Sequence, residues 1–186
     1  MLPREPITYT FTEWASDSRS TLLVPPPDAQ DQRPLYRITV DLDLNPFLPL
    51  SYVTKIYRAG GESEDLIGEF ILSTSHKRAV LTIGDKVTRL SNVLSNINSS
   101  ARDFSWLFDG TQLRWDCRSN LDDGSPMCIC YSPSSDNQVA SFVPPPPDAC
   151  PPLPSAVLTV FPQGHQYLDD IVISALIIER KLTVAY

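Results

Sequence analysis

Histidine, cysteine and methionine are scarce in this chain: two His, four Cys and two Met among 186 residues. Few histidines leave few candidates for general base or metal ligand. No Gly-x-Ser-x-Gly elbow and no His-Glu-x-x-His pair surrounds His76 or His165, so the common hydrolase signatures are missing. Four cysteines (Cys117, Cys128, Cys130, Cys150) are too few and too clustered for a disulfide scaffold at this length. Basic charge is also short. Fifteen Lys and Arg face twenty-two Asp and Glu, a net charge of −7, which argues against nucleic acid as a partner because phosphate contacts need a basic surface. No long apolar run exists. The longest, near Ile171, falls well below the ~20 residues of a membrane-spanning helix. The first residues, Met1 to Glu13, have no apolar core of a secretory signal. The expected location is intracellular and cytoplasmic, and the Asn98-Ser99-Ser100 glycosylation acceptor carries little weight there.

What is present suits a globular domain. Hydrophobic residues make up 42% of the chain, too many for a disordered segment. Residues 1–186 are expected to form a single domain with a substantial core. Short strands are expected at Ile7–Phe11, Thr21–Val24, Leu35–Leu42, Tyr52–Tyr57, Asp65–Leu72, Ala79–Ile83, Lys86–Leu90, Met127–Tyr131, Val139–Val143 and Ala156–Phe161. Leu35–Leu42 alternates Tyr36, Ile38, Val40 and Leu42 against Arg37, Thr39 and Asp41, the period of a half-buried strand. Turns fall at Ala59-Gly60-Gly61 and Gly84-Asp85.

The clearest hairpin spans Asp103 to Cys117. Asp109-Gly110 suits a type I′ turn. A two-residue loop there predicts Phe108 opposite Thr111, Trp106 opposite Leu113, and Phe104 opposite Trp115. These aromatics share one face and read as core, where each large cross-strand pair contributes roughly 0.2–1 kcal/mol.

Ile171 to Ile178 is apolar apart from Ser174, after Asp169-Asp170 and before Glu179-Arg180-Lys181. Acid at the start and base at the end suit a helix over Tyr167 to Lys181, following a break at Gly164. A helix apolar on every side must be enclosed. Ten to twelve strands tend to close or split. The expected architecture is mainly β: a closed antiparallel β-barrel of about 12 strands around a hydrophobic C-terminal helix.

Several chemical motifs fail on inspection. Asp41-x-Asp43-x-Asn45 starts like a calcium loop, but Pro46 stands where Gly is needed and Tyr52 where Glu is needed. The segment reads as a polar strand end running into a turn at Asn45-Pro46. Cys128-x-Cys130 is too closely spaced for an ordinary zinc site, so buried reduced thiols are the expectation. No metal and no cofactor is expected.

Two features suit binding. Residues 76–102 carry Lys77, Arg78, Lys86, Arg89 and Arg102 against Asp85 alone. Lys77, Arg78, Lys86 and Arg89 are the candidate contacts for an anionic headgroup or acidic partner, against the reading of a solvated strand face. The proline-rich loop 144–154 includes Pro151, Pro152, Leu153 and Pro154. That run resembles a short segment taken by some WW domains, or forms a stiff connection.

The string Phe104-Ser-Trp106-Leu-Phe108-Asp-Gly110-Thr-Gln-Leu-Arg-Trp115 resembles an uncharacterised family of basidiomycete fungi, a domain of unknown function. So do Gln138-Val139-Ala140-Ser-Phe and the ending Leu168 to Lys181. The resemblance covers about residues 35–182. That family is similar in organisation to the tubby C-terminal, plant LURP-one and phospholipid scramblase group. The resemblance implies a twelve-stranded barrel around a hydrophobic C-terminal helix and leaves function open. The expected role is a non-enzymatic binding domain for an anionic lipid surface or a protein. The alternatives are an interaction module presenting the proline loop and a small enzyme with an unfamiliar site.

Overall fold

The computed structural model describes residues 3–59, 65–74, 78–132, 137–150 and 152–184. Within them lie thirteen strands and one α-helix: β1 (Ile7–Phe11), β2 (Ser20–Val24), β3 (Tyr36–Asp43), β4 (Ser51–Arg58), β5 (Asp65–Ser73), β6 (Ala79–Ile83), β7 (Lys86–Arg89), β8 (Leu94–Asn96), β9 (Asp103–Phe108), β10 (Thr111–Asn120), β11 (Pro126–Ser132), β12 (Asn137–Val143), β13 (Val157–Val160) and α1 (Leu168–Val184). The expected strands all form, with ends shifted by a residue or two. β8 was not foreseen, because three residues are too few to display a period-two pattern. The turn expected at Ala59-Gly60-Gly61 lies partly outside the described residues.

The hydrogen-bonded strand order is β7-β6-β5-β4-β3-β2-β1-β13-β12-β11-β10-β9-β8, and the pairings along it are antiparallel. β7 and β8 end the order. The closed tubby-like barrel is therefore not formed, and α1 is not the filling of a closed cylinder. Strand number makes closure possible; closure itself requires the first and last strands to share a ladder. By its contacts the chain divides into two compact units, residues 1–11 with 94–186, and residues 12–93.

The first unit contains α1 and the aromatic hairpin. The register matches the expectation: Thr111 opposite Phe108, Leu113 opposite Trp106, and Trp115 opposite Phe104. Asp109 and Gly110 both take positive φ, 47° and 85°, as a type I′ turn demands. Phe104, Trp106, Leu113 and Trp115 are fully buried. Burying an indole buries its N–H, which then needs an acceptor. Helix α1 supplies both. Trp106 Nε1 donates to Asp170 Oδ1 at 2.9 Å, and Trp115 Nε1 donates to Ser174 Oγ at 3.0 Å. The Ser174 hydroxyl in turn donates a hydrogen bond to the Asp170 carbonyl at 2.6 Å. Residues 170 and 174 are four apart, one turn along the same face. The lone polar residue of the apolar run is thus the partner of a core tryptophan.

Ile171, Val172, Ile173, Ala175, Ile177 and Ile178 are fully enclosed, so every side of this helical stretch is shut from water. The helix is entered through a 3-10 turn, Pro162–Tyr167, seated on β12 by Phe161 N donating to Val139 O at 3.0 Å. Gly164 is required there: a Cβ would lie 2.1 Å from Val139 O. Cys117, Cys128 and Cys130 are free and buried in this unit, as expected, while Cys150 is exposed.

The second unit is an up-and-down run, β2 to β7. Its core face gathers Leu23, Tyr36, Ile38, Ile56, Phe70 and Leu81. β6 and β7 are joined at Gly84-Asp85, where Gly84 takes φ +58°.

Replacing Ser174 by Ala leaves the buried Trp115 N–H without its acceptor. We expect a loss of about 1–3 kcal/mol in urea-induced unfolding, the cost of one unsatisfied buried donor. A change below about 0.5 kcal/mol would refute this role. Burial pushes the Asp170 carboxyl above its ordinary 3.8, against the lowering pull of the Trp106 N–H and Thr111. A carboxyl raised by folding contributes stability that is complete below its unfolded pKa and declines as pH rises through the folded value. Asp170→Asn should therefore flatten the fall in unfolding free energy just above pH 3.8; an unchanged slope would show that another group carries it.

Candidate functional site

Among the described residues, the binding residues foreseen in the sequence do not form one cluster. Lys77, Pro151 and His76 lie outside the described residues. Arg78, immediately before β6, is half-buried, and its Nη1 meets Asp43 Oδ2 at 2.9 Å. Lys86 pairs across from Ile83 and Arg89 across from Val80, both exposed on the end strand β7. Three residues apart on a strand, Lys86 and Arg89 point to opposite faces. Arg102 belongs to the other unit and donates to Asn120 Oδ1 at 3.0 Å. In the proline loop, Pro152, Leu153 and Pro154 are exposed, while Pro144 is buried. His165 sits in the 3-10 turn against the edge of Tyr9, with Nε2 buried and its pKa lowered by that burial.

The most unusual surface lies elsewhere, at the hairpin tip between β3 and β4. Twelve large hydrophobic side chains are exposed among the described residues, and six of them fall between positions 42 and 52: Leu42, Leu44, Phe47, Leu48, Leu50 and Tyr52. Phe47 is 93% exposed and Leu44 72%. Scattered exposed hydrophobics are ordinary; a contiguous group marks an interaction site. Leu42 and Tyr52 face each other across the strands. By strand alternation they continue the row of Ile38 and Ile56, so the core face of this sheet runs out into the tip.

The tip owes its shape to local chemistry. Pro46 and Pro49 keep the segment out of the ladder, since neither can donate. Asp43 Oδ1 accepts from Asn45 N at 3.1 Å, and Asn45 Oδ1 accepts from Phe47 N at 3.0 Å. Leu48 N donates to Asn45 O at 3.1 Å, closing a turn with Pro at its second position. The loop is stitched to the neighbouring β5–β6 connection: Thr74 N and Thr74 Oγ1 both donate to Leu50 O, at 3.0 and 3.3 Å. Arg78 completes the seam through Asp43. The Asn45 N–H first, then the Arg78 guanidinium, hold the Asp43 carboxyl below its usual range.

The consequence is an ordered loop with exposed apolar side chains. Of residues Asn45 to Leu50, Pro46 and Pro49 have no N–H, and Asn45, Phe47 and Leu48 spend theirs inside the loop. Little desolvation cost remains for moving this backbone out of water. The sequence offered one signal for the tip. Leu44, Phe47, Leu48 and Leu50 are apolar beside two prolines that bar them from the ladder, so their side chains could not all be strand core.

Asn45→Ala removes the acceptor for the Phe47 N–H. Amide exchange at Phe47 should then quicken by an order of magnitude or more, while Ile38 and Ile56 amides keep their protection; equal exchange in both proteins would show that the side-chain cap does not order the tip.

Among the described residues, no helix is long and apolar enough to cross a membrane. No curated protein and no solved structure is detectably similar to this chain. Residues 16–183, which include both the hairpin tip and the tryptophan-anchored helix, match the family of unknown function DUF6593, and the chain belongs to that family.

Proposed function

We propose that this protein is a binding domain that associates peripherally with a lipid surface through the β3–β4 tip. The observation that supports this reading is the exposure of Phe47 and Leu44 on a hairpin loop whose N–H groups are largely used or absent. A group of exposed apolar side chains on one loop finds its complement in a medium that deforms around it. The interfacial region of a bilayer is such a medium. Burying one Phe or Leu side chain is worth roughly 1.5–3 kcal/mol, so two or three inserted side chains suffice for reversible association. The basic residues then play a secondary part, because Arg78 is already paired and Lys86 and Arg89 diverge.

A polarity-sensitive dye reports on the tip directly. With the exposed Cys150 changed to Ser and the dye carried on Phe47→Cys, vesicles should shift its emission to the blue. The same dye on Leu121→Cys, exposed in the other unit, serves as the reference. No shift at position 47 with either neutral or anionic vesicles would overturn the proposal.

A further inference from the structure

We infer that the surface entered by the tip is an electrically neutral, loosely packed lipid surface rather than an anionic one. This rests on the lipid-surface reading above and adds the lipid class. The charge at the tip carries the inference. From Ile38 to Tyr52 the chain holds Asp41 and Asp43 and no Lys or Arg. Asp41 is exposed, and the guanidinium that reaches this end, that of Arg78, is taken up by Asp43. The wider unit, residues 12–93, has eleven acidic and nine basic side chains, so its net charge has the same sign as the tip. A polybasic segment is what draws a protein to phosphatidylserine-type surfaces, and each cation near such a surface adds attraction. Within the tip's own segment, residues 38 to 52, the charged residues have the opposite sign.

Apolar insertion must then supply the attraction. It is available from Leu44, Phe47, Leu48 and Leu50, all at least 42% exposed. The inserting segment is a single hairpin loop. It reaches only the boundary between headgroups and acyl chains, where entry is easiest if the headgroups are already spread. Association of this kind responds to curvature and packing more than to charge. Because salt screens charge but leaves apolar burial intact, the binding is insensitive to moderate ionic strength.

Flotation of the full chain with vesicles of stated composition tests this. Small, highly curved phosphatidylcholine vesicles should carry several-fold more protein than large ones of the same lipid. Raising the salt should not release it, and adding phosphatidylserine should not increase it. Phe47→Asp, at an exposed position that leaves the melting temperature unchanged, should lower the bound fraction by about tenfold or more. Binding that requires phosphatidylserine and is lost in high salt would overturn the lipid class while leaving the lipid-surface reading intact. Absence from every vesicle would overturn both. Equal flotation of Phe47→Asp would remove the tip as the contact.

Discussion

Two indole N–H groups must find acceptors inside a core, and the first unit of this protein is organised around that requirement. Trp106 and Trp115 are fully buried on facing strands. Their N–H groups end on Asp170 and Ser174, one helical turn apart. Two directed bonds spaced along one face fix both the rotation of the helix and its position along its axis. Apolar packing alone would tolerate a slide or a roll; an orphaned indole donor would not. Gly164 serves the same end, since only a residue without Cβ lets the chain enter the helix so close to Val139 O.

The second unit shows the opposite economy. Its sheet buries alternate residues until the strands reach the β3–β4 tip. There two prolines end the ladder while the apolar sequence continues. The tip solves its polar problem locally, with Asp43 and Asn45 capping amides and Thr74 holding Leu50 O. Its apolar problem is left unsolved within the molecule. A loop ordered by its own hydrogen bonds loses little entropy on binding, which is what favours a preformed contact over a flexible one.

Much of this was legible beforehand, and the failures have physical causes. The aromatic hairpin could be read to the residue because a two-residue Asp-Gly turn fixes register. The helix could be read because an enclosed run with acidic and basic ends has few alternatives. Barrel closure could not be read, since it depends on whether the end strands meet. Strand alternation over Lys86 to Leu90 by itself turns Lys86 and Arg89 to opposite faces, and the β6–β7 register agrees. Arg78, a candidate contact by sequence, is committed to Asp43, thirty-five residues away. The sequence shows a polar strand end and a turn at Asn45-Pro46, and that turn forms; neither the side-chain caps nor the exposure of the apolar side chains around it follows from that pattern.

By itself, then, the sequence determined the local units: the strands, the type I′ turn, the helix and the proline-barred loop. Each follows from short-range preferences of backbone and side chain. Only the tertiary structure decided which polar groups were already spent and which apolar ones were left over. Ser174, an apparent flaw in an apolar helix, became the acceptor for a tryptophan 59 residues away. Phe47, one aromatic among many, became the most exposed large hydrophobic side chain described. Partnership and exposure are sums over residues distant in the chain, and no local pattern contains them.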